Sequence, residues 1–69
     1  MTHGEYLTEM GKKIRIERRA KKLTLHKVAI RCNVDIHTIC YIERGKTNPH
    51  LLILKSIADV LKVDVKDFL

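Results

Sequence analysis

The chain has 69 residues, 45% apolar and 32% charged, and its 14 basic against 8 acidic side chains leave a net charge of +6, with an isoelectric point near 9.6. This composition excludes a disordered chain. The length holds one domain, residues 1–69, with no room for a two-substrate catalytic cleft, and two cysteines are too few for a disulfide scaffold.

No apolar run approaches the roughly 18 residues of a membrane span, and Met1 to Met10 lacks the apolar stretch of a signal peptide. A cytoplasmic protein is therefore expected, with an acidic partner, nucleic acid before all others. The first helix is expected from about Glu5 to Lys21. Leu7, Met10, Gly11, Ile14 and Arg18 recur on one face at three- and four-residue steps. Lys12, Lys13, Arg15, Arg19 and Lys22 occupy the other, which reads as solvated surface.

Thr24 is a favourable N-cap for a second helix, about Leu25 to Arg31, with Leu25, Val28 and Ala29 as its apolar stripe. Asn33 tolerates the left-handed conformation and ends it. Asp35 then caps a third helix, about Ile36 to Arg44, with Ile39 and Ile42 inward and Gly45 as its left-handed terminator. After a loop over Lys46 to Asn48, Asn48 is expected to cap and Pro49 to open a fourth helix, since the missing proline N–H costs nothing at the first position. Its core face is Leu51, Leu54, Ile57, Ala58 and Leu61. Asp64 caps a last short turn holding Val65, Phe68 and Leu69. The second and third helices are joined by about four residues, and small Ala29 permits a close, steep crossing. That is the geometry of a helix-turn-helix over about residues 24–44.

The segments Gly11-Lys-Lys-Ile-Arg15, Leu23-Thr-Leu-His-Lys-Val-Ala29 and Val34-Asp-Ile-His-Thr-Ile-Cys-Tyr-Ile-Glu-Arg-Gly-Lys46, with Asn48-Pro49 through Ile57-Ala58 and Leu61-Lys-Val63, resemble the Cro/phage-repressor type of helix-turn-helix domain, the XRE family. The likeness runs from about Gly11 to Leu69, and Ile-Glu-Arg-Gly-Lys followed by a proline is its most specific part. It implies an all-α, compact five-helix lambda-repressor-like domain whose third helix enters the major groove of double-stranded DNA. It also implies a transcriptional regulator, a repressor, that binds a palindromic operator as a homodimer, with half-sites about 34–36 Å apart. No cofactor, metal, small-molecule effector or membrane is implied.

A recognition helix presents its N-terminal end to base edges, here Ile36, His37 and Thr38, with Cys40 and Tyr41 one turn on. An isoleucine at the exposed start of a helix suits a thymine methyl, or else packs on Ala20 or Leu23. His37 and Tyr41 reach bases or phosphates, or lie as plain surface. Phosphate contacts are expected from Thr24, Leu25 and Lys27 at the start of the second helix, flanked by His26, and from Arg44, Lys46, Thr47 and Asn48 after the third. The resemblance itself places contacts at Arg44 and Lys46. Members of this type usually carry glutamine at the position of Leu25, and leucine forms no hydrogen bond. Packed on Ile36, it would give an apolar reading head with a preference for thymine-containing steps. The resemblance also pairs Arg18 with Glu43 as a buried, structural salt bridge.

The fourth helix is apolar on more than one face, with Leu52, Ile53 and Val60 additional to its core set, which calls for a partner surface. Ile53, Val60, Val65, Phe68 and Leu69 are the dimer candidates, against a satellite core built with Tyr6 and Leu7. His26, Cys32, His37 and Cys40 match no zinc spacing. His37 with Cys40, the only nucleophile–base pair, lacks an orienting third group, so no enzyme is expected. Oxidation of Cys40 would block DNA. The alternative function is an antitoxin or a restriction-modification controller type of regulator that acts with a partner protein.

Overall fold

The computed structural model describes all 69 residues, in four α-helices and a terminal 3-10 turn: α1 His3–Ala20, α2 Leu25–Cys32, α3 Ile36–Glu43, α4 Leu51–Leu61 and the turn Val65–Phe68. α2 packs on both α3 and α4, α1 packs on α3, and the terminal turn closes against α1 and α4. One core of Met10, Ile14, Val28, Ala29, Ile39, Ile42, Leu54, Ile57, Ala58, Leu61 and Phe68 joins all five elements. No helix is long and apolar enough to cross a membrane.

Each helix starts on a side-chain cap. Thr24 Oγ1 accepts from the Lys27 N–H at 3.1 Å, Asp35 Oδ1 from the His37 N–H at 2.8 Å, and Asp64 Oδ1 from the Lys66 N–H at 3.0 Å, as expected from residue type. α1 starts two residues earlier than its periodicity indicates. Thr2 and Glu5 form a reciprocal capping box, which satisfies two amides at once.

The start of α4 differs from expectation. Asn48 is not its cap and Pro49 is not its first residue: His50 caps it, extended at φ −73° and ψ 163°, with Nδ1 accepting from the Ile53 N–H at 3.3 Å. A proline drives the residue before it toward extended backbone, so Asn48 and Pro49 lengthen the loop. Leu51 continues the apolar stripe one turn beyond the core and is exposed, while Leu54, Ile57, Ala58 and Leu61 are buried.

All four α-helices end in one way. A left-handed residue follows each helix: Lys22, Asn33, Gly45 and Lys62. Its N–H and that of the next residue turn back onto the last turn, as in Lys22 to Arg19 O and Leu23 to Arg18 O, or Gly45 to Ile42 O and Lys46 to Tyr41 O. This is the Schellman motif, in which the second residue past the helix usually makes an apolar contact. Leu23, Val34 and Val63 do so, half-buried against the core. Lys22 therefore belongs to a helix terminus and not to the outer face of α1.

Arg18 and Glu43 pair as expected. Arg18 Nε lies 2.6 Å from Glu43 Oε2 and Nη2 lies 3.1 Å from Oε1, both side chains nearly buried, and Nη1 donates to the Leu23 carbonyl at 2.9 Å. Arg15 was expected to be solvated. It is half-buried instead, donating to the Glu43 carbonyl at 3.3 Å and standing 3.6 Å from its carboxylate. Two cations thus tie α1 to the end of α3. Gly11 permits this approach: a β-carbon there would fall 2.6 Å from the Ile42 carbonyl oxygen and nearer still to that of Glu43.

Candidate nucleic-acid interface

The caps and terminators of α2 and α3 decide what these helices offer to solvent. Thr24 occupies the Lys27 amide, which leaves the amides of Leu25 and His26 at the positive end of α2 with no partner in the chain. Such amides can hold a phosphate. Ile39 and Ile42 are buried and hold α3 to the core. The outer face of α3 then carries Ile36, His37 and Tyr41, all exposed, while Thr38 and Cys40 are half-buried. The rings of His37 and Tyr41, one turn apart, have centroids 6.4 Å from each other at a tilt of 34°.

Past α3 the chain turns at Gly45, with φ +69°, where a β-carbon would fall 2.9 Å from Thr8 backbone atoms of α1. This seat fixes the direction in which Arg44 and Lys46 leave. Lys46 holds the position that the other three helix ends fill with Leu23, Val34 or Val63, and it is exposed. A charge replaces the apolar plug only here. Lys27, Arg44 and Lys46 take part in none of the six ion pairs. They are free cations on the two segments that flank α3, and Thr47 and Asn48 continue the exposed loop.

Of the residues expected to touch nucleic acid, the fold thus gathers Thr24, Leu25, Lys27, Ile36, His37, Tyr41, Arg44 and Lys46 on the α2, α3 and loop segments. Leu25 is half-buried and packs against the core, so it offers only part of its side chain. Arg18 and Glu43 stay in the interior. The two thiols are free, and burial pushes that of Cys32 above its ordinary range.

The expected dimer residues divide. Phe68 is 1% exposed and cannot line an interface, because the terminal turn folds it between α1 and α4. Ile53, Val60 and Val65 are half-buried against the chain's own core, and Leu69 is open. The satellite-core alternative is partly realised: Tyr6 Oη donates to the Leu69 carbonyl at 3.3 Å. Leu51 and Leu52, 60% and 73% exposed, are the open apolar residues at the start of α4; Leu52 was expected outside the core face, whereas Leu51 was expected within it. Their signal was the run of four apolar residues, Leu51 to Leu54, which one helix face cannot hold.

Comparison with known proteins points the same way. Residues 9–68 match the family described as Helix-turn-helix domain. The chain is 34% identical over 64 residues to RghRB of Bacillus subtilis (strain 168), an uncharacterized HTH-type transcriptional regulator. That alignment covers 91% of this chain and 46% of the relative, so the chain spans about half the relative's length. The restriction-modification controller protein C.AhdI from Aeromonas hydrophila superposes with a TM-score of 0.88 at 25% identity, over 91% of this chain and 96% of that one. The DNA-binding domain of BldD does so with a TM-score of 0.84 at 28% identity, over 100% and 99%.

Proposed function

The chain belongs to the helix-turn-helix domain family, and from that premise we propose that it is a sequence-specific, DNA-binding transcriptional regulator that represses by occupying a palindromic operator as a homodimer. The observation that carries this reading is the exposed face of α3, flanked by the unpaired cations Lys27, Arg44 and Lys46. Phosphate contacts from these cations, from Thr47 and Asn48, and from the Leu25 and His26 amides set position, and α3 residues set sequence. A second copy docks through the exposed Leu51 and Leu52 at the start of α4 and through Leu69, together with the half-buried Ile53, Val60 and Val65. Dimerisation raises the effective concentration at the second half-site.

A second reading is a controller acting alongside a partner protein, such as a restriction enzyme or toxin. The likeness in fold to C.AhdI, a restriction-modification controller protein, favours it.

Enrichment of a randomised duplex pool by the purified protein, at two salt concentrations, tests the proposal. A palindromic motif with half-sites one helical turn apart, and affinity falling steeply with salt, is the expected result. Salt-sensitive binding without a motif would overturn sequence-specific regulation and favour the partner-assisted reading.

A further inference from the structure

α3 reads Ile-His-Thr-Ile-Cys-Tyr-Ile-Glu. It holds no arginine, lysine, asparagine or glutamine, the side chains that make bidentate bonds to purine edges. Its one carboxylate, Glu43, is engaged by Arg18 in the interior and is not free to accept from cytosine. Hydrogen-bond readout is left to single contacts from His37, Tyr41 and Thr38. At the tip of the helix, where base contacts concentrate, stands Ile36, 37% exposed. Leu25 holds the equivalent first position of the neighbouring helix, half-buried. Exposure alone does not single out Ile36, since Ile16 and Ile30 are more exposed; its place on the first turn of α3 does.

The base-edge feature of the major groove that suits an apolar side chain is the C5-methyl group of a pyrimidine. We infer that Ile36 reads pyrimidine C5-methyl groups, so that binding distinguishes thymine from uracil and 5-methylcytosine from cytosine. The inference rests on the DNA-binding reading above and names the chemistry its α3 face selects.

The test uses the duplex enriched from the randomised pool, resynthesised with deoxyuridine in place of thymidine at one position per half-site in turn, with affinity read by fluorescence anisotropy. At the contacted position each lost methyl weakens binding about fourfold, and the symmetric pair about fifteenfold. Ile36→Ala binds the thymine and uracil duplexes alike, and Ile36→Val keeps the preference. With cytosine and 5-methylcytosine compared at that position, tighter binding of the methylated base identifies the methyl itself as the feature read, whichever base bears it. Equal binding there, with thymine still preferred over uracil, overturns the claim for 5-methylcytosine and confines the reading to thymine. An enriched motif bound equally well with thymine or uracil at every position overturns the methyl reading and leaves DNA recognition standing. Absence of any duplex binding removes the functional reading beneath it.

Discussion

Arg18 and Glu43 show how much one position can carry. The pair is nearly buried, and no buried side-chain nitrogen or oxygen in the chain lacks a hydrogen-bond partner. Arg18→Ala leaves the Glu43 carboxylate with only Arg15 beside it, and a loss of about 3–5 kcal/mol is expected from urea denaturation. Joint replacement by Met at 18 and Leu at 43 costs less, because the carboxylate leaves with its buried partner and only the half-buried Arg15 loses an ion pair. Cys32 gives a pH dependence of known sign. Partial burial shifts its folded thiol to a higher pKa, so the unfolded chain loses its proton first. Stability is full below the ordinary thiol range and falls as pH rises through about 8.5; Cys32→Ala flattens that part of the profile in thermal unfolding against pH. On the proposed interface, His37→Ala and Tyr41→Ala relax sequence preference. Lys46→Ala weakens all duplexes alike and lowers the salt slope by about one. Competition with random DNA separates the two classes, and equal losses on specific and random DNA for both would contradict the assignment.

The four helix ends are the clearest device at the level of the element. Asn33 and Gly45 are the residue types that accept a left-handed backbone, but Lys22 and Lys62 hold it as well, at φ 58° and 60°. Lysine suits the negative end of a helix yet carries a β-carbon that this conformation penalises. Lys62→Gly is expected to raise stability by about 0.5–1 kcal/mol, seen as a higher thermal midpoint; a fall would mean that the lysine contributes more through the helix dipole than its backbone costs. The same motif explains why Lys46 stands out, as its position is apolar at the other three ends. The Asn33 and Gly45 ends were legible from local chemistry, as were the Thr24, Asp35 and Asp64 caps; the Lys22 and Lys62 ends were not, because lysine gives no local signal for a left-handed backbone. The start of α4 was not. Asn48-Pro49 is a good local signal, but His50 is an equally competent acceptor, and only the path of the loop onto the core decides between them.

For the molecule as a whole, the exposed leucines at the start of α4, Leu51 and Leu52, are the feature that the proposed dimer must cover. Leu52→Glu is expected to shift sedimentation equilibrium toward monomer and, by removing the second half-site contact, to lower affinity for a two-site operator more than for a single half-site. Unchanged association would place the dimer contact elsewhere. The amino-acid sequence by itself determined the all-helical architecture, the caps of α2, α3 and the terminal turn, and the inward set from Met10 to Leu61, because periodicity, capping and left-handed tolerance are properties of short stretches of chain; the Arg18–Glu43 pair, 25 residues apart, came from the family resemblance. Tertiary structure alone decided that Phe68 belongs to the core, that Arg15 joins the buried ion pair, that Leu51 lies outside and that Gly45 seats on Thr8. Each of those outcomes depends on which distant segment arrives at the residue, and burial, unlike helicity, is not a local property.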